Sequence, residues 1–124
     1  MGQRILIIED NPQNRLLLKD VLEFHGYEIM EAEDGQAGVE MAKKNKPDLI
    51  LMDLQMPVMD GLTAGKIIRG DADIKNIKMI AVTSFAMSGD KERIMEAGFD
   101  HYISKPIDTR TLPVLIEKVL GVRP

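Results

Sequence analysis

Apolar residues along the chain fall into two alternating patterns. Short continuous runs, bounded by turn residues, read as strands buried on both faces of a parallel sheet. Runs of this kind are Arg4-Ile5-Leu6-Ile7-Ile8, Leu49-Ile50-Leu51-Met52 and Lys78-Met79-Ile80-Ala81-Val82. His101-Tyr102-Ile103-Ser104 is a shorter fifth strand, and Tyr27–Ala32 is a weaker second one whose partial alternation fits a sheet edge. Between them lie helical patterns. Asn11-Pro12 supplies an N-cap and a proline at the first helical position, and Leu17, Leu18, Val21 and Leu22 follow on one side. That helix closes at His25, with Gly26 suited to a left-handed cap. Asp34-Gly35 opens a second helix to about Asn45, with Ala37, Met41 and Ala42 inward, and Pro47 stops it.

Asp60-Gly61 opens a third helix, carrying Leu62, Ile67 and Ile68. Gly65 and Gly70 each disfavour helix by roughly 1 kcal/mol against alanine, which predicts a short or frayed element. A fourth helix is expected from Ser88 to Ala97, closing at Gly98. Leu112, Leu115, Ile116, Val119 and Leu120 follow i, i+3, i+4, i+7, i+8 spacing. Pro113 lacks the N–H an interior position needs, so this last helix begins near Thr111. Five strand–helix units with short connections predict an α/β fold: one doubly wound parallel sheet with helices on both faces, a single domain over residues 1–124.

Each strong strand ends in a polar group. Glu9 and Asp10 follow Ile8, Asp53 follows Met52, Thr83 and Ser84 follow Val82, and Lys105 follows Ser104. In a parallel sheet these ends lie on one side, where ligands bind in open α/β folds. Three carboxylates in one place repel and call for a cation. An all-oxygen donor set suits Mg²⁺, and an ammonium and a hydroxyl opposite it suit an anion. The pattern points to metal-assisted phosphoryl transfer, with Asp53 as the nucleophile near the middle.

Composition adds boundaries. The 124 residues carry a net charge of -4 and no cysteine, which removes thiolate metal sites and disulfides and disfavours nucleic acid as a direct partner. No apolar run approaches the length of a membrane span and no signal peptide is discernible, so the cytoplasm is expected. The basic cluster Lys43, Lys44 and Lys46 reads as a helix C-terminus, Asp34 and Asp60 read as N-caps, and His25 and His101 read as structural. The nine methionines are adaptable core filler, with Met56 and Met59 bordering the site.

Taken together, Glu9-Asp10, Asp53 with Pro57 and Gly61, Thr83, Tyr102 and Lys105-Pro106 resemble the receiver domain of bacterial two-component response regulators. The stretches PDLILMDLQMP and SFAMSGDKERIMEAGFDHYISKPI are most similar to single-domain, DivK-like receivers and to the receivers of hybrid histidine kinases. The resemblance implies a flavodoxin-like (βα)5 fold of strand order 2-1-3-4-5. It implies that Asp53 accepts a phosphoryl group from a phosphohistidine, and that Glu9, Asp10, Asp53 and the backbone carbonyl of Gln55 hold Mg²⁺. It implies that Lys105 and Thr83 bind phosphoryl oxygens, that Lys105–Pro106 is a cis peptide, and that Thr83 and Tyr102 form a switch pair. The switch would alter the face built by the fourth helix, fifth strand and fifth helix. The implied partners are a sensor histidine kinase or histidine phosphotransfer protein and a downstream protein target, with no nucleic acid or membrane bound directly. The protein would be a monomer or a weak phosphorylation-dependent dimer. Gln55 and Ser84 occupy positions that vary in the family and tune phosphate lifetime.

Two rivals remain. An aspartyl-nucleophile phosphatase would use Asp-x-Asp, yet Gln55 stands two residues after Asp53. A flavin carrier would need a hydroxyl- and glycine-rich loop where Glu9-Asp10-Asn11 stands, and no Gly-x-x-x-x-Gly-Lys loop occurs.

Overall fold

A computed structural model describes residues 2–56, 59–84 and 88–121. Ten elements alternate: β1 (Arg4–Ile8), α1 (Pro12–Phe24), β2 (Glu28–Ala32), α2 (Gly35–Asn45), β3 (Leu49–Asp53), α3 (Gly61–Gly70), β4 (Lys78–Thr83), α4 (Ser88–Glu96), β5 (His101–Ser104) and α5 (Leu112–Leu120). The five strands form one parallel sheet in the order β2-β1-β3-β4-β5. β3 is its centre, and every residue of that strand is buried.

The period-two geometry of strands sorts the apolar runs onto two faces. Ile5, Ile7, Leu49, Leu51, Ile80 and Val82 pack with Leu18 and Leu22 of α1 and with Leu112 and Ile116 of α5. Leu6, Ile8, Ile50, Met52, Met79 and Ala81 face the other way, onto residues of α2, α3 and α4 such as Ala42, Ala64, Ile68 and Ile94. Each fully buried Leu or Ile adds about 1.5–3 kcal/mol, which explains why β1 after Arg4, β3 and β4 after Lys78 stay apolar up to the strand ends.

The caps follow the local sequence. Asn11 accepts from the N–H groups of Gln13 and Asn14, Asp34 from that of Ala37 at 2.8 Å, and Asp60 from that of Thr63 at 2.8 Å. Gly26 turns the chain out of α1 at φ +92°. α5 starts at Leu112 with Pro113 in its first turn, where a missing N–H is harmless.

Some expectations need correction. α3 is neither short nor frayed: it is regular over ten residues, Gly61–Gly70. A Cβ on Gly65 would lie 2.6 Å from Cε2 of Phe99, so the glycine admits the Phe99 ring against the helix. Packing there outweighs the propensity deficit. Leu17 and Ile67, expected inward, are 48% and 42% exposed. They lie at the margins of their helix stripes, and the buried residues of the two helices are Leu18 and Leu22 on α1 and Gly61, Ala64, Gly65 and Ile68 on α3. Pro57 and Phe85–Met87, which carry part of the family resemblance, lie outside the described residues.

Away from the strand C-termini, Arg69 ties two connections together, the one between α3 and β4 and the one between α4 and β5. It donates to the carbonyl oxygens of Gly98, Lys75 and Ile77 and pairs with Asp100 at 2.8 Å. Asp100 in turn accepts from the N–H of Met79.

Candidate functional site

Among the described residues, the buried polar or charged side chains are Glu9, Asp53 and Thr83, each at most 2% exposed. All three stand at the C-terminal end of a strand or just beyond it. Burying a polar group is unfavourable unless it is satisfied, and three at one sheet end mark this as a built site.

Parallel pairing brings them together. β1 and β3 run side by side to Ile8 and Met52, so Glu9 and Asp10 leave the sheet next to Asp53. β3 and β4 pair as far as Asp53 with Val82, and β4 and β5 as far as Thr83 with Ser104. The N–H of Lys105 donates to the carbonyl of Thr83 at 2.9 Å, and the following Lys105–Pro106 peptide is cis. Lys105 Nζ reaches back over the sheet end and lies 3.1 Å from Oδ2 of Asp53. The other carboxylate oxygen of Asp53, Oδ1, accepts from the N–H of Gln55 at 3.0 Å.

Gly61 lets α3 start close to this corner. A Cβ there would lie 2.7 Å from the carbonyl oxygen of Asp53 and 2.8 Å from Cα of Leu54. Any larger residue would push the helix away from the aspartate.

One oxygen from each of Glu9, Asp10 and Asp53 lies within 4.8 Å of the others. Glu9 and Asp53 are buried and Asp10 is exposed, so the cluster opens to solvent on one side. Burial pushes Glu9 up to about 7, the N–H of Asn11 at its carboxylate acts in the opposite direction, and Asp53 and Asp10 raise it further. Loss of solvent around the carboxyl is the larger cause, and the neighbouring carboxylates add to it. Three hard oxygens with an open side fit a divalent cation that keeps some of its waters, as Mg²⁺ does.

The polar set extends along β4. Gln55 Nε2 donates to Oγ1 of Thr83 at 2.9 Å, and Gln55 Oε1 accepts from the N–H of Ser84 at 3.2 Å. A cavity of about 190 Å³ beside them, between α3 and α4, is lined by Leu54, Asp60, Leu62 and Arg93 among others. Tyr102 lies half-buried on β5, opposite Ala81, with Lys91 Nζ 6.0 Å from its ring centroid. Asp60 serves as the cap of α3.

The structure thus gathers Glu9, Asp10, Asp53 and Lys105 at one point, with Thr83 and Gln55 adjoining. Two contacts were not apparent from the sequence. The amide of Gln55 spans to β4, and Arg15 of α1 donates to the carbonyl of Glu9 at 2.9 Å. The i+4 spacing of Arg15 from the cap Asn11 was the available signal, but its target lies on another element.

The family model described as the response regulator receiver domain matches residues 5–117. This chain belongs to the response regulator receiver domain family. The receiver is 41% identical over 121 residues to the polar-differentiation response regulator DivK of Brucella anthropi, with 98% of each chain covered, and the DivK of Brucella ovis matches equally. Among solved structures it resembles the receiver domain of sensor histidine kinase PA1611 from Pseudomonas aeruginosa PAO1, with 35% identity and a TM-score of 0.90 over 98% of this chain and 99% of that one. That receiver holds a magnesium ion in its active site cleft. The chemotaxis protein CheY4 of Vibrio cholerae superposes with a TM-score of 0.91 at 26% identity, over 96% of this chain and 99% of that one. Membership of this family makes the chain a signalling switch of a two-component system, and the phosphatase reading finds no support. Among the described residues no helix is long and apolar enough to cross a membrane.

Proposed function

We propose that residues 1–124 act as one receiver whose Asp53 takes a phosphoryl group from a phosphohistidine. The observation that carries this reading is the position of Asp53. It is buried, 3.1 Å from Lys105 Nζ, and within 4.8 Å of the carboxylates of Glu9 and Asp10. A carboxylate oxygen of Asp53 attacks phosphorus as the P–N bond breaks. The electron pair leaves with the imidazole of the donor, which is then protonated.

Glu9, Asp10, Asp53 and the backbone carbonyl of Gln55 would hold Mg²⁺, which when bound supplies positive charge against the phosphoryl oxygens. Lys105 already lies against Asp53 and pairs with an incoming oxygen. The N–H of Gln55 keeps Oδ1 of Asp53 oriented. Thr83 binds a further phosphoryl oxygen, and doing so breaks or redirects its contact with the Gln55 amide. The resulting shift of the segment after β4 lets the Tyr102 ring follow, and the face of α4, β5 and α5 changes. Gln55 carries no ionisable group, so no general base stands two residues after Asp53. This favours a switch that transfers and slowly loses its own phosphoryl group over an enzyme that turns over a separate substrate.

The donor partner is a sensor histidine kinase or histidine phosphotransfer protein and the recipient a downstream protein, both met in the cytoplasm. The protein acts as a monomer or a weak dimer formed on phosphorylation. Incubation with Mg²⁺ and acetyl phosphate, followed by intact-mass measurement, tests the reading. One acid-stable, base-labile phosphoryl group is expected on the wild type and none on Asp53→Asn. Labelling of Asp53→Asn would refute the assignment of the nucleophile, and steady turnover of a phosphomonoester would restore the phosphatase.

A further inference from the structure

Arg15 has none of the roles described so far, yet it touches the acidic site directly. It lies on α1, four residues after the cap Asn11, and its side chain is only 15% exposed. Nη1 donates to the carbonyl oxygen of Glu9 at 2.9 Å, and Nε lies 3.5 Å from Oε1 of Glu31 at the end of β2. Lys19 approaches the other oxygen of Glu31 at 3.8 Å, which restrains that carboxylate in turn.

The contact falls where the sheet stops helping. The β1 ladder runs only to Ile8, so the carbonyl of Glu9 points beyond the regular pairing. The rest of Glu9 is already held: its N–H donates to the carbonyl of Ala32 at 3.1 Å, and Oε2 accepts from the N–H of Asn11 at 3.1 Å. Arg15 completes the set with a charge-assisted bond, roughly twice as strong as a neutral one.

We propose that Arg15 is a positioning residue for the metal-binding carboxylates. The Glu9–Asp10 peptide is planar, so fixing the Glu9 carbonyl fixes the peptide and with it the direction in which Asp10 leaves the strand. Two different nitrogens of Arg15 engage Glu9 and Glu31. A lysine presents a single ammonium on a flexible stem and lacks this rigid fork.

This inference rests on the reading of Glu9, Asp10 and Asp53 as a Mg²⁺ site, and the test separates the two. Mg²⁺ affinity is measured by titration calorimetry for the wild type, Asp53→Asn, Arg15→Met and Arg15→Lys, with the metal-free melting temperature of each. Outer partners of metal ligands typically contribute about 10- to 100-fold in affinity, and a loss in that range is expected for Arg15→Met. Arg15→Lys keeps the charge and should fold even if Arg15→Met does not; it too should bind more weakly than the wild type. A strap with no part in the site would lower the melting temperature while leaving affinity unchanged, so wild-type affinity in both Arg15 variants overturns the proposal alone. A wild type that takes up no Mg²⁺, or binds it equally in Asp53→Asn, overturns the site and this inference with it.

Discussion

Lys105 Nζ lies 3.1 Å from Asp53 Oδ2, across 52 residues of chain, and forms an ion pair in which the carboxylate is buried and the ammonium partly open to solvent. The pair places a cation where an anion bound to Asp53 would arrive. Lys105→Met should therefore leave Asp53 nucleophilic but slow phosphorylation from acetyl phosphate by roughly 100-fold, the scale on which one preorganised donor contributes. Asp53→Asn should abolish it. Rates from intact-mass time courses decide the matter: an unchanged rate in Lys105→Met would remove the lysine from the reaction.

Glu9 predicts a pH dependence. Its carboxyl is raised to about 7 in the folded protein by burial, with Asp53 and Asp10 adding to the shift. In the unfolded chain it returns to the ordinary range near 4.3. Between those values the folded state binds more protons than the unfolded state, so this group's contribution to stability falls as pH rises through that window. The upper bound is roughly 4 kcal/mol, from about 1.4 kcal/mol per pKa unit. Metal-free wild type should lose melting temperature relative to Glu9→Gln between about pH 5 and pH 8, and saturating Mg²⁺ should cancel the difference by favouring the ionised form. A wild type that gains on Glu9→Gln over that range would contradict the burial argument.

Asp60 separates capping from ligation. Its Oδ1 accepts from the N–H of Thr63 at 2.8 Å at the head of α3. Asp60→Ala should destabilise by about 1 kcal/mol, as loss of an N-cap does, and leave Mg²⁺ affinity at the wild-type value. Denaturant unfolding and calorimetry on the same sample check both halves. A large loss of affinity at unchanged stability would make Asp60 a ligand.

Gly65 tests packing against propensity. Alanine there would gain about 1 kcal/mol of helix propensity, but its Cβ would meet Phe99 Cε2 at 2.6 Å. Overpacking of this kind destabilises by typically 1–3 kcal/mol, so Gly65→Ala should unfold at lower denaturant. Phe99→Leu should relieve the clash, and the double-mutant cycle should show favourable coupling. If Gly65→Ala proves more stable than the wild type, the ring can yield and the packing account fails.

Local pattern determined much of this protein. Apolar runs bounded by turn residues marked β1, β3 and β4, because a strand buried on both faces tolerates no polar residue until it ends. That same rule exposed Glu9, Asp10, Asp53, Thr83 and Lys105 as candidates, and a parallel sheet left one end for all of them. The caps Asn11, Asp34 and Asp60 were equally legible, since a cap bonds within its own first turn. Tertiary structure decided the rest. Leu17 and Ile67 fit a helical stripe yet face solvent, because periodicity gives a face and not the angle at which it meets the sheet. Gly65 looked like a defect until Phe99, 34 positions later, occupied the space it leaves. The reach of Gln55 to Thr83 and of Arg15 to Glu9 depends on how loops and helices cross the sheet end. Contacts between elements are set by the relative placement of whole segments, which no window of local sequence encodes.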